Sequence, residues 1–137
     1  MENIKIFEIY KESFWYNINS EFKETGGIYK LFCVNHIEQR IEVSRVLKND
    51  SNGILYIGKA TSFLDRVITL KKALSPEHTS ENHECGVRYK KHFKEKFPYD
   101  KLRLELIESG DIGYLEKELL SDYEKEFGEL PPLNRMK

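Results

Sequence analysis

Two short runs flanked by glycine, Gly-Ile-Tyr-Lys-Leu-Phe-Cys-Val at 27–34 and Ile-Leu-Tyr-Ile-Gly at 54–58, limit what this chain can fold into more than any other feature. β-Branched and aromatic residues dominate both. That composition suits a pleated, half-buried surface, and the glycines fall where the backbone must turn or be approached closely. Each run reads as a strand carrying one tyrosine, Tyr29 or Tyr56, so the two phenols are expected near one another. Leu-Arg-Leu-Glu-Leu-Ile at 102–107 alternates with period two and reads as a strand with one buried face, and 41–47 alternates well enough for another. Between 41–47 and Tyr56, Asn-Asp-Ser-Asn-Gly at 49–53 is a strong turn signal.

Helical periodicity fills the remainder. Residues 4–24 are rich in large apolar groups, with Phe7, Tyr10, Phe14 and Ile18 near helical spacing, and predict a helix packed on the sheet. Ser62 and Asp65 have the spacing of an N-cap and its acidic N3 partner, ahead of a broad apolar face over 62–74. An exposed loop is expected at 75–83, then a basic helix over 85–97 ended by Pro98, and a last helix over 112–127 closed by Gly128. The expected class is α+β: a small antiparallel sheet of three or more strands flanked by helices. At 137 residues one domain with a single core is expected.

Hydrophobic residues make up 39% and no apolar run approaches the ~20 residues of a membrane span, so a cytoplasmic protein without a membrane partner is expected. The amino terminus lacks the basic start of a signal peptide. A formal net charge of −1 does not by itself point to nucleic acid. The charge is unevenly spread, however: 85–103 holds seven basic residues (Arg88, Lys90, Lys91, Lys94, Lys96, Lys101, Arg103) against two acids. In 111–129 seven acids face two lysines, so a basic face can coexist with an acidic one. Cys33 and Cys85 read as a buried thiol and a bystander, and His78, His83 and Cys85 lack a fourth partner at zinc-finger spacing.

On the last helix, Leu115, Leu119, Leu120, Tyr123 and Phe127 span an arc of about 140°, and Glu116 falls inside it. The ordinary reading is an arc-edge carboxylate that reaches solvent or pairs with a nearby lysine or arginine. Arg66, ten positions after Tyr56 on the margin of its helix, reads by itself as a surface arginine, and Lys59 as a strand-end charge.

Gly27-Ile28-Tyr29 and Tyr56-Ile57-Gly58, followed in order by Lys59, Arg66, Glu116 and Asn134, resemble the GIY-YIG nuclease family, with Lys59 closest to the version in the excision-repair protein UvrC. The two tyrosines lie 27 positions apart, further than the compact hairpin usual in that family. Residues 1–25 therefore read as an extension and about 35–52 as an insertion. The resemblance implies a divalent-metal-dependent DNA endonuclease. Glu116 would hold Mg²⁺ (or Mn²⁺), Tyr29 would activate water, Tyr56 would orient water or phosphate, Lys59 or Arg66 would supply the cation that a phenol needs to act as a base, and Asn134 would fix a tyrosine hydroxyl. Arg66, Arg88, Lys90 and Lys94 would meet DNA phosphates. The alternative is a catalytically idle module of the same fold that binds nucleic acid or a protein partner.

Overall fold

The computed structural model describes residues 4–22, 25–76 and 84–135. The loop expected at 75–83, with His78 and His83, lies largely outside the described residues. Four strands, β1 (Ile4–Glu8), β2 (Gly27–Cys33), β3 (Ile54–Ala60) and β4 (Leu102–Glu108), form one antiparallel sheet in the order β1-β4-β2-β3. Four helices flank it: α1 (Phe14–Phe22), α2 (Phe63–Leu74), α3 (Glu84–Arg88) and α4 (Ile112–Phe127). The α+β class is therefore the observed one.

The strands alternate between two apolar layers. Tyr29, Leu31 and Cys33 of β2, with Leu102, Leu104 and Leu106 of β4, face Phe14, Ile18 and Phe22 of α1, Phe63, Val67 and Leu70 of α2, and Cys85 at the start of α3. Ile28, Ile57 and Ile107 point the other way, against Leu120, Tyr123 and Phe127 of α4. At the end of α4, Gly128 adopts φ 84°, the left-handed conformation that spares glycine a Cβ clash and lets its N–H reach back to the Glu124 carbonyl at 2.8 Å.

Four expectations need correction. Residues 4–24 are a strand followed by a helix. Phe7 belongs to β1, and its helical spacing to Tyr10 and Phe14 is a coincidence across the intervening turn. Ile9, Phe14, Ile18 and Phe22 of this segment lie in the main core. The strand expected at 41–47 does not form. Val43 makes one isolated bridge to Asp50, and the chain beyond it pairs with the end of α4, Leu47 donating its N–H to the Phe127 carbonyl and Arg45 meeting Glu129 at 3.0 Å. Ser62 stands at the N-cap of α2 without a side-chain cap bond, and the Phe63 N–H beside it goes to the Thr25 carbonyl at 2.9 Å. The helix expected over 85–97 is α-helical only to Arg88 and then widens into a π turn, Tyr89–Phe93, where the Lys94 N–H reaches the Tyr89 carbonyl.

Candidate active site

β2 and β3 pair so that Tyr29 lies opposite Gly58. The absence of a side chain at Gly58 is what admits the phenol: a Cβ there would stand 2.3 Å from Tyr29 Cζ. Further along, the register slips between Leu31 and Phe32, which pair with Tyr56 and Ile54, and leaves Leu55 as the extra residue of a bulge. Leu55 and Tyr56 consequently both pack against the layer that holds Tyr29, and the two tyrosine rings come within 6.0 Å, tilted 36°.

The two phenols differ in environment. Tyr29 is fully buried, and burial, then the neighbouring Tyr56, hold its hydroxyl well above the ordinary phenol range. Burial also raises Tyr56, which remains partly exposed. The two hydroxyls are hydrogen-bonded to one another. Arg66 lowers both without overcoming burial. The roles expected from the sequence are thus poorly matched to position: Tyr29 has no access to water and keeps its proton, whereas the partly exposed Tyr56 hydroxyl is the one that water can approach.

Arg66, in the first turn of α2, is exposed, and its Nε points to the Lys59 carbonyl at 3.5 Å. Lys59 pairs with Ile28 across the sheet and so projects toward α4, where its Nζ lies 3.9 Å from a Glu116 carboxylate oxygen. The Glu116 side chain is 19% exposed, and its charge is felt at Tyr56. Pairing with a lysine was the ordinary expectation for this acid. Beside Lys59 and Arg66 lies a cleft of about 340 Å³ lined also by Thr61, Ser62 and Thr69. Thr61 and Thr69 were not singled out from the sequence, and Ser62 only as a helix cap, although the Thr61-Ser62 run directly after the second glycine strand is a visible signal.

Asn134 acts differently from its expected role. Its Oδ1 accepts the Ile57 N–H and its Nδ2 donates to the Ile57 carbonyl, both at 2.9 Å, while the Leu133 N–H reaches the Leu55 carbonyl at 2.9 Å. β3 is an edge strand, and Asn134 supplies the donor and acceptor a further strand would have offered. With both amide atoms engaged, it pins the strand beside the bulge and does not fix a tyrosine hydroxyl.

The expected DNA-contacting lysines are placed apart from this cluster. Lys90 and Lys94 line a cleft with Leu74, Pro76 and Tyr99, at the opposite end of α2 from Arg66, about 12 Å along the helix axis at 1.5 Å per residue. Arg88 is nearer, one turn on from Cys85, whose thiol is felt at both tyrosines. Arg103 leaves the basic face altogether: it is 4% exposed and bound to Glu38 at 2.9 Å.

Among the described residues no three histidine, cysteine, aspartate or glutamate side chains converge as a metal cage. Glu116 offers a single, partly exposed carboxylate held by a long ion pair. That donor set fits Mg²⁺, which dehydrates reluctantly and retains several waters beside one or two carboxylates. No protein-family model matches the chain, and no curated protein or solved structure matches it either.

Proposed function

We propose that the chain is a divalent-metal-dependent DNA endonuclease of the GIY-YIG type that hydrolyses phosphodiester bonds. The observation that supports it best is that Tyr29 and Tyr56 form one ring pair while, three residues further along β3, Lys59 meets Arg66 of α2 through its carbonyl and Glu116 of α4 through an ion pair. Arg66 presents donors to the non-bridging oxygens of a phosphate and stays charged throughout. Glu116 would hold Mg²⁺ or Mn²⁺, which when bound neutralises charge on the phosphoryl and leaving oxygens. Tyr56 would receive and orient the attacking water, with Tyr29 fixing its hydroxyl from behind.

A second reading, a module that binds nucleic acid or a protein without cutting, is favoured by the raised tyrosines and by Lys59 resting on Glu116. Incubation with plasmid, nicked, flapped and branched DNA in Mg²⁺ or Mn²⁺ separates the two. Cleavage is expected, with Glu116→Ala and Arg66→Ala each reducing turnover by about 10²-fold or more while thermal stability stays near that of the parent. DNA binding with no cleavage of any substrate at protein excess would establish the second reading.

A further inference from the structure

Away from the tyrosine pair, a cleft of about 620 Å³ opens between α1 and the C-terminal half of α2, walled by Tyr10, Trp15 and Tyr99 and by Lys71 and Lys72. Trp15 is 49% exposed and Tyr10 40%. Helices bury rings of this size when they can, and α1 does so with Phe14, Ile18 and Phe22. Trp15 follows Phe14 by one residue and so is turned about 100° away from that buried face, toward the cleft. The aromatic wall is held in place from behind: the Lys71 ammonium donates to the carbonyls of Ile9 and Lys11 and lies 3.1 Å from the Tyr99 hydroxyl.

Lys72 behaves differently. It is exposed, makes no ion pair among the described residues, and lies about 120° around α2 from Arg66, with exposed Thr69 between them. Six residues separate it from Arg66, about 9 Å of helix rise. Along the axis alone that rise matches two to three nucleotides of a stacked strand at ~3.4 Å each, and the turn of about 120° between the two side chains around α2 adds to the separation. On the remaining wall Glu12 and Asp100 repel phosphate, so the cleft suits an uncharged planar ring while Lys72 at its rim suits the adjoining phosphate.

We propose that this cleft stacks an unpaired base of a nucleic-acid strand on Trp15, with Lys72 meeting the phosphate next to it, within a few nucleotides of the position held by Arg66. The assignment rests on the nuclease reading for its choice of ligand. It adds that the preferred DNA carries a single-stranded flank, since a base must leave its stack to enter.

The chain has one tryptophan, so its fluorescence reports this ring alone. With divalent metal chelated to prevent cutting, a short oligothymidylate should quench it saturably, and a blunt duplex or thymidine monophosphate only weakly. Trp15→Ala should lower oligothymidylate affinity roughly tenfold, with Trp15→Phe retaining most of it. Lys72→Gln should flatten the salt dependence of binding by about one unit of slope, and it tests the proposal even if Trp15→Ala fails to fold. No quenching by a single strand, equal quenching by thymidine monophosphate, or an unchanged slope in Lys72→Gln overturns the proposal. Quenching with no metal-dependent cleavage of any DNA would leave the platform standing and remove the nuclease. Cleavage with silent fluorescence would do the reverse.

Discussion

The two faces of the sheet are built on different physics. One lies under α1, α2 and α3, with Tyr29, Leu31, Leu104 and Leu106 all fully buried against apolar helix residues. The other is covered by α4 over β2 and β3, while Ile4 and Ile6 of β1 remain 47% and 54% exposed. On this second face polar contacts do much of the holding: Arg40 lies over Phe32 at 3.7 Å and pairs with Glu105 at 3.5 Å, and buried Asp50 binds Tyr123. The candidate active site lies where the faces meet, with neutral phenols from the deep side and the Lys59–Glu116 pair from the shallow one. A site that needs a dry hydrogen-bonded pair and a hydrated charge close together is served by this asymmetry.

If the shallow face depends on polar contacts, its hub should be its most sensitive point. Asp50 is 1% exposed and accepts the N–H groups of Asn52 and Ile54 and the Tyr123 hydroxyl at 2.8 to 3.0 Å. Asp50→Ala leaves the Ile54 N–H and the Tyr123 hydroxyl buried without an acceptor and should cost about 3 to 5 kcal/mol in urea unfolding. Tyr123→Phe, which leaves Asp50 two donors, should cost about 1 kcal/mol. Equal losses from the two would mean that the ring's packing on Phe127, rather than the carboxylate, holds this face.

On the deep face the corresponding break is steric. Gly58→Ala places a methyl where the Tyr29 ring lies, against a phenol surrounded by packed neighbours. Overpacking of this kind costs about 1 to 3 kcal/mol, and here it should also push Tyr29 away from Tyr56. Near-ultraviolet circular dichroism of the tyrosines should change along with the melting temperature. A variant with unchanged spectrum and stability would show that Tyr29 does not occupy the space over Gly58.

The sequence revealed local patterns and concealed anything decided across the sheet. Period-two alternation and apolar arcs located β2, β3, β4, α2 and α4, because each has a face whose burial is written in its own residues. β1 was hidden inside a supposed helix: at an edge, Ile4 and Ile6 are exposed and Phe7 only partly buried, so five residues carry little pattern. The 41–47 stretch alternates like a strand, yet Arg45, Val46 and Leu47 are used up on Glu129 and the Phe127 carbonyl. The roles of Asn134 and Tyr29 could not be read either. One follows from β3 being an edge strand, and the other from the depth at which Tyr29 sits in the sheet.

The last test distinguishes a dry deep face from a hydrated one and has no effect near neutrality. Tyr29, Tyr56 and Tyr89 are all raised above the ordinary phenol value, in each case chiefly by burial. In the unfolded chain they return to about 10. Below that pH both states hold the proton and the contribution to stability is complete. As pH rises past about 10 toward the raised folded values, the unfolded chain ionises first and stability falls, by about 1.4 kcal/mol per pH unit for each tyrosine still protonated in the fold. Cys33 and Cys85, pushed up by burial to about 11 and about 12, start the decline near pH 9, so urea unfolding between about pH 8 and 11 should fall in two stages, and Tyr29→Phe should remove about one proton's worth of the slope above about pH 10. A stability that stays level above about pH 10 would mean that these phenols ionise as readily folded as unfolded, in which case water reaches the Tyr29 hydroxyl and the division of roles between Tyr29 and Tyr56 reverses.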